Sequence, residues 1–422
     1  MLSTLTPMLG RKGRILKPAL IALLLLAGPA AVLVSWQRSE RSSSPPAGSF
    51  HAEGLESRAI YSSPQSPGYT SWVGAWEMND GSLMTGFVQA TGEVDPADRE
   101  LAPEKVIDAY GVPRGEPQRD FWGLDQTVEY LRSTDGGSTW EAFRSDAFKA
   151  PSPYGYTAQA TIGLKDGTLL RRVNGDDLRH ESQIPHTAFL QRLAPGAERW
   201  SEPQVLMDPA RRTYQLSRLR YINDGRLIAT GNYWDVPADT PLPERAKVPS
   251  TFLLMVSSDD GQTWRNGLTI PPATAPLPGG EWDTAELPDG DLAAVFRTEA
   301  STSADAAQVR KQALLEQDGE GWVLTGLRDA PFPPSGHPEL LATREGPILH
   351  VATSGVHYTT DGLNWKPLDF GPEQSYHSDY YPHAVQTRDG VIRVFGHVGG
   401  DDAYGERDQS ITMDTFRIKA DE

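Results

Sequence analysis

Ser133-Thr134-Asp135-Gly136-Gly137-Ser138-Thr139-Trp140 is a run of small polar residues closed by a tryptophan. Serine, aspartate and threonine side chains can satisfy the free amides of a tight hairpin, and tryptophan can fold back over the turn they make. The pattern returns as Ser257-Ser258-Asp259-Asp260-Gly261-Gln262-Thr263-Trp264. A looser copy is Tyr358-Thr359-Thr360-Asp361-Gly362-Leu363-Asn364-Trp365. Degenerate copies are expected at Pro195–Trp200 and Asp318–Trp322.

Between these turns runs a second repeated element, an acid-glycine pair flanked by two apolar stretches. It occurs at Asp80-Gly81, Asp166-Gly167, Asp224-Gly225, Asp289-Gly290, Glu345-Gly346 and Asp389-Gly390. Asp-Gly between apolar runs is a strong hairpin signal, and both turn residues are expected to take positive φ. Two hairpins per period make a four-stranded sheet, and six periods make a ring of six. The expected fold is therefore all-β: a six-bladed β-propeller with four-stranded antiparallel blades, its polar turns identified as Asp boxes. The closing strand would come from Ile411–Ile418 or from residues near Ala59-Ile60-Tyr61. A WD-repeat propeller is disfavoured, because no Gly-His and Trp-Asp pairing recurs. Residues 301–316 are alanine-rich and suggest a short helix or a long loop.

Gross composition suits this reading. Forty glycines and 34 prolines supply the turns, and the absence of cysteine excludes a disulfide framework or a thiolate-held metal. The net charge of −17 argues against non-specific nucleic-acid binding, which needs the opposite field. The basic residues Arg11, Lys12, Arg14 and Lys17 precede an uncharged apolar run over 18–36. That order fits a signal peptide or an uncleaved membrane anchor, with the rest of the chain exported. The expected organisation is a signal or anchor over 1–36, a flexible linker over 37–55 and the propeller over 56–422. The location would be extracytoplasmic, with membrane attachment through 18–36 or, if the signal is cleaved, secreted or periplasmic.

The first strand of each propeller blade lines the central channel. The residues eight before each hairpin acid are Trp72, Ala158, Leu216, Glu281, His337 and Tyr381. Three of these can do chemistry, and Trp72 can stack on a sugar. Glu281 opens the stretch Glu281-Trp282-Asp283-Thr284-Ala285-Glu286-Leu287-Pro288-Asp289-Gly290 and is followed, at the end of the next strand, by Arg297. Tyr380-Tyr381-Pro382 precedes the last hairpin. These features resemble the sialidases. The resemblance implies Tyr381 as nucleophile, Glu281 as the partner that polarises it and Arg297 as a carboxylate clamp. It also implies an acid ahead of the first Asp box, with Asp125 first and Asp120 second. A neutral tyrosine suits sialic acid, whose own anomeric carboxylate repels a carboxylate nucleophile. An arginine grips such a carboxylate with two parallel hydrogen bonds.

The resemblance also has gaps. Sialidases use three arginines on the substrate carboxylate. Here Ser71 stands where the first would be, and the stretch His350–His357 holds none for the third. Arg172, Arg218 and Arg220 are the substitutes available on other blades. The expected activity is exo-acting hydrolysis of a terminal sugar, sialic acid included, with Tyr381, Glu281 and Asp125 catalytic and Arg297, Trp72 and His337 touching substrate. The alternatives are hydrolysis or lysis of another carbohydrate, or a non-catalytic glycan-binding propeller. No metal or cofactor is expected. The acid-rich Gly399–Asp408 does not match a calcium loop and reads as a solvated turn.

Overall fold

The computed structural model describes residues 48–64, 68–91, 125–148, 155–174, 187–206, 213–237, 240, 248, 250–274, 280–297, 310–333, 336–372, 376–398 and 410–421. The expected signal or anchor over 1–36 lies outside them. Among the described residues the secondary structure is almost wholly strand, with a single 3₁₀ turn at Pro272–Thr274. No helix among them is long and apolar enough to cross a membrane.

The strands form six sheets, each running outward from one innermost strand. The innermost strands are Gly68–Glu77, Gly155–Gly163, Thr213–Tyr221, Trp282–Glu286, Glu339–Ala342 and Tyr380–Gln386. Each touches the next, and the sixth touches the first, so they enclose a channel. The blades are numbered here in that order. Apolar clusters fill the spaces between neighbouring blades. One cluster joins Phe252 and Leu254 of the third blade to Trp282, Phe296 and Trp322 of the fourth.

Both candidates for ring closure are used. Ser410–Ala420 is the third strand of the sixth blade, and Phe50–Ser62 pairs antiparallel along it as the fourth. The linker expected over 37–55 therefore stops short of Phe50: Phe50 and Ala52 are buried in the last blade. Blade four has a fifth strand, Leu268–Thr269, which lies parallel to Gly321–Asp329. The helix or loop expected over 301–316 is corrected over its second half. Lys311–Asp318 is a strand, because Leu315 and Ala313 find buried ladder partners in Leu292 and Ala294.

All six hairpins form, with a different backbone from the one expected. In the first, the Met78 amide bonds the Ser82 carbonyl and the Gly81 amide bonds the Met78 carbonyl; the other five repeat this pair of bonds. This is a type I turn followed by a left-handed glycine. Glycine alone has positive φ, from 80° at Gly390 to 110° at Gly346. The acid keeps an ordinary backbone and uses its side chain instead: Asp80 Oδ1 accepts from the Ser82 amide at 2.9 Å.

The polar turns are built by their side chains. Asp135 accepts from the Thr139 amide and hydroxyl at 2.8 and 2.6 Å, and Ser133 Oγ accepts from the Gly137 amide at 2.7 Å. Asp259 and Ser257 repeat those distances. Asp361 makes the same contacts to Asn364 in a turn one residue shorter. The Thr139 and Thr263 bonds hold the Asp135 and Asp259 carboxyls down at about 2.

Candidate active site

Trp282 explains why Glu281 points where it does. Trp282 is fully buried, stacks on Phe296 at 5.1 Å, and donates its indole N–H to the Gly231 carbonyl at 2.6 Å. Trp282 and Phe296 are opposite one another in the ladder. The next residues outward along the two strands are Glu281 and Arg297, joined by a bond from the Arg297 amide to the Glu281 carbonyl at 2.8 Å. A rigid aromatic pair thus carries a charged pair at its edge. Gly280 permits the close approach, since a Cβ there would stand 2.4 Å from the Arg297 carbonyl oxygen.

Tyr381 enters from the sixth blade. A β-bulge lies between Tyr380 and His383, and Tyr381 has the left-handed φ of 49°. Its hydroxyl is 3.2 Å from Glu281 Oε1, and Arg297 Nη1 is 2.5 Å from Glu281 Oε2 and 3.4 Å from the Tyr381 hydroxyl. Three residues from two blades therefore meet. Glu281 and Arg297 are each about a third exposed, so the trio opens to solvent. Burial, reinforced by the Glu281 charge, raises the Tyr381 pKa well above its ordinary value, so the phenol rests protonated beside a carboxylate.

His337 and Trp72 flank this group differently. His337 is buried, its ring centroid 6.4 Å from that of Tyr381. Its Nδ1 lies 2.6 Å from the Pro338 carbonyl, which requires the proton on Nδ1 and leaves Nε2 a bare acceptor without a partner. Burial and the nearby Arg218 charge push its pKa well down, so the ring is neutral. Trp72 is half-buried at the same bulged register of the first blade. Ala158 and Leu216, the remaining members of the predicted ring, are fully buried. Asp125 begins the strand Asp125–Ser133 and pairs with Thr91, but its side chain lies outside the described residues, as does Asp120.

The substitute arginines are committed elsewhere. Arg172 donates to the Leu216 carbonyl. Arg220 holds Asp283 at 2.6 and 2.7 Å and the Leu340 carbonyl at 2.6 Å. Arg218 is buried against Glu339 at 2.9 Å. Ser71, at the place of the first arginine, is itself buried, and its hydroxyl has no partner among the described residues. Sequence reasoning overlooked Arg310, which is buried and donates to the Gly336 carbonyl beside the Tyr381 ring and to His350 Nε2 at 3.4 Å. It precedes its strand by one residue, outside any repeated position. Sequence reasoning also missed Glu339, the first residue of the innermost strand Glu339–Ala342 of the fifth blade.

Below this layer a cavity of about 420 Å³ opens at the hairpin end of the channel, lined by all six blades, including Glu77, Ile162, Arg220, Glu286 and Gln386. A cavity of about 600 Å³ lies between blades one and two, against Met84, Phe143 and Leu169. Neither contains the Tyr381 group. Among the described residues no cluster of three or more histidine, aspartate or glutamate side chains could hold a metal ion.

No protein-family model and no curated protein sequence matches the chain. Solved structures do. A Dyadobacter fermentans protein of unknown function is 16% identical with a TM-score of 0.58, over 87% of this chain and 100% of its own. The α-L-arabinofuranosidase Arb93A of Fusarium graminearum, solved with an iminosugar inhibitor, is 12% identical with a TM-score of 0.55, over 85% and 97%. The NanB sialidase of Streptococcus pneumoniae is 11% identical with a TM-score of 0.51, over 85% and 70%. At these identities the likeness is one of fold: the chain shares the propeller fold of sialidases and of this arabinofuranosidase.

Proposed function

We propose that the chain is an exo-acting glycoside hydrolase working outside the cytoplasm on a terminal sugar. The observation that carries this reading is the Tyr381 hydroxyl held 3.2 Å from Glu281, with Arg297 beside both, on a surface open to solvent. The fold shared with a sialidase and an arabinofuranosidase supports it. The basic and apolar N-terminal stretch supports export, by a signal or by an anchor over 18–36.

The chemistry follows from the resting protonation. Tyr381 attacks the anomeric carbon while its proton passes to Glu281, so no free phenolate forms. The glycosidic bond breaks as its oxygen takes a proton from the general acid, the role proposed for Asp125. Water then cleaves the glycosyl-tyrosine, giving its proton back to the general acid, while Glu281 returns its proton to Tyr381, and the anomeric configuration is retained. Arg297 holds the Glu281 side chain in place through its 2.5 Å contact and directs a donor towards the sugar.

A second reading concerns the sugar. Ser71 replaces one expected arginine, and Arg172, Arg218 and Arg220 are tied to buried partners. This favours a glycone without the anomeric carboxylate of sialic acid. Chromogenic glycosides of sialic acid, α-L-arabinofuranose and neutral hexoses, offered to the full chain, separate the readings. Release from at least one sugar supports hydrolysis and names the glycone. Release from none, with binding of glycans retained, supports the non-catalytic propeller.

A further inference from the structure

Tyr381 has a left-handed backbone that an aromatic residue adopts only under constraint. The bulge that puts it there removes Tyr381 and Pro382 from the ladder, which resumes at His383 opposite Phe395. The groups freed by a bulge need other partners. They find them across the channel. Arg218, from the third blade, donates Nη2 to the Pro382 carbonyl at 3.0 Å and Nη1 to His383 Nδ1 at 2.9 Å. Glu339, from the fifth blade, accepts the Ala384 amide at 2.7 Å. Arg218 Nη2 and Glu339 Oε2 then face each other as an ion pair 2.9 Å apart, both side chains fully buried.

We infer that the buried Arg218–Glu339 pair is a positioning device for Tyr381: it grips three successive residues after the bulge and fixes the left-handed backbone that aims the hydroxyl at Glu281. Arg218 can only donate, so His383 accepts through Nδ1 and stays neutral, its other nitrogen bonded to the Ala75 backbone. The grip therefore reaches the first blade as well. A buried ion pair is rarely the most stabilising choice for a core, and well-packed apolar residues often do as well or better. Its value here lies in direction: one planar guanidinium donates to a carbonyl and an imidazole while its charge faces a carboxylate, which no apolar side chain can do. Neither residue touches the reacting atoms, so their effect passes through Tyr381.

The inference rests on the hydrolase reading, and its test separates the two. The double variant Arg218→Met, Glu339→Gln removes both charges together and leaves no lone buried ion. The full chain is labelled with 3-fluorotyrosine, and the Tyr381 fluorine resonance is assigned by its loss in Tyr381→Phe. The parent gives one sharp Tyr381 line, and the double variant gives a broadened or split one with the other tyrosine lines unmoved. On whichever glycoside the parent cleaves, kcat falls about 100-fold, the scale of a misplaced reacting group, with KM within about threefold. Arg218→Lys keeps the cation but cannot reach Glu339, Pro382 and His383 together; it gives the same two signatures if the neutral pair does not fold. A folded variant with an unchanged Tyr381 line overturns the inference, whether or not the parent is an enzyme. A parent without activity overturns the hydrolase reading alone, since the fluorine line still decides the brace.

Discussion

Trp72 and Tyr381 stand at the same register on the innermost strands of adjacent blades, and both have left-handed backbones, with φ of 52° and 49°. Each follows the start of a β-bulge, between Ser71 and Gly74 in one strand and between Tyr380 and His383 in the other. Glycine supplies nearly every other left-handed residue described. Two large aromatics in this conformation, on neighbouring blades, mark one end of the channel as the place where backbone strain is kept for a purpose.

Trp72 is therefore expected to form a wall for the sugar. In Trp72→Ala, KM should rise by roughly tenfold, the scale of one lost aromatic contact, while kcat changes by less than about threefold. Steady-state kinetics on the cleaved glycoside checks this. A fall confined to kcat would assign Trp72 to shaping the bulge instead.

Ring closure should be worth several kcal/mol. A chain beginning at Ser63 loses the whole strand Phe50–Ser62 and with it the buried Phe50 and Ala52. Denaturant titration should show a loss exceeding about 3 kcal/mol, since burying one phenylalanine alone contributes roughly 1.5–3 kcal/mol. A chain beginning at Gly48 should melt within a few degrees of the full chain.

The polar turns hold their blades through one carboxylate each. Asp259→Ala removes the bonds to Thr263 and should cost roughly 1–2 kcal/mol, discounted for the exposure of the turn. The Asp259 carboxyl is held down at about 2, below its unfolded value. Its contribution is thus complete above about pH 4 and is lost as pH falls through 2. The stability gap between parent and variant in urea titrations should be clearly smaller at pH 3 than at pH 7, without closing.

Buried histidines should make the fold acid-sensitive at a milder pH. Burial lowers the pKa values of His337, His350 and His383 well below the usual range and brings His397 to about 4. Between pH 6.5 and 4 the unfolded chain binds protons that these rings refuse, so stability falls with pH by about 1.4 kcal/mol per unit for each ring. Glu339 works the other way: burial raises its pKa, and its folded form keeps a proton that the unfolded chain has released. Glu286, Asp414 and His51, also raised, act with Glu339, and the lowered His357 acts with the four rings; the deeper burial of the rings should leave the protein less stable at pH 5 than at pH 7. Equal denaturation midpoints at the two values would show that the rings charge without unfolding.

What was legible in the sequence was what lies close along the chain. Hairpins and polar turns are written within eight residues, so their number and order could be read directly. Glu281 and Arg297 share a hairpin, and the alternation of its strands brings them together. Tyr381 was found because its distance to the following hairpin repeats that of Glu281. The turn conformation was misjudged because Asp-Gly permits two left-handed residues, and here the type I turn with one matched the strands. Lys311–Asp318 has helix-forming residues, but burial of Leu315 against blade four outweighs local preference. The pairing of Arg218 with Glu339 was beyond reach for a different reason. They are 121 positions apart by number and meet across an axis that no local pattern encodes.

The most direct test of the central claim is chemical trapping of Tyr381. The full chain is incubated with a fluorinated analogue of the glycoside it cleaves, which slows breakdown of a covalent intermediate, and the digested protein is mapped by mass spectrometry. One glycosyl adduct is expected, on the peptide carrying Tyr381. Tyr381→Phe should show no adduct, and Glu281→Gln should lose more than about 100-fold in turnover, the scale of a missing general base. Undiminished turnover in Tyr381→Phe, or an adduct on another residue, would contradict that claim.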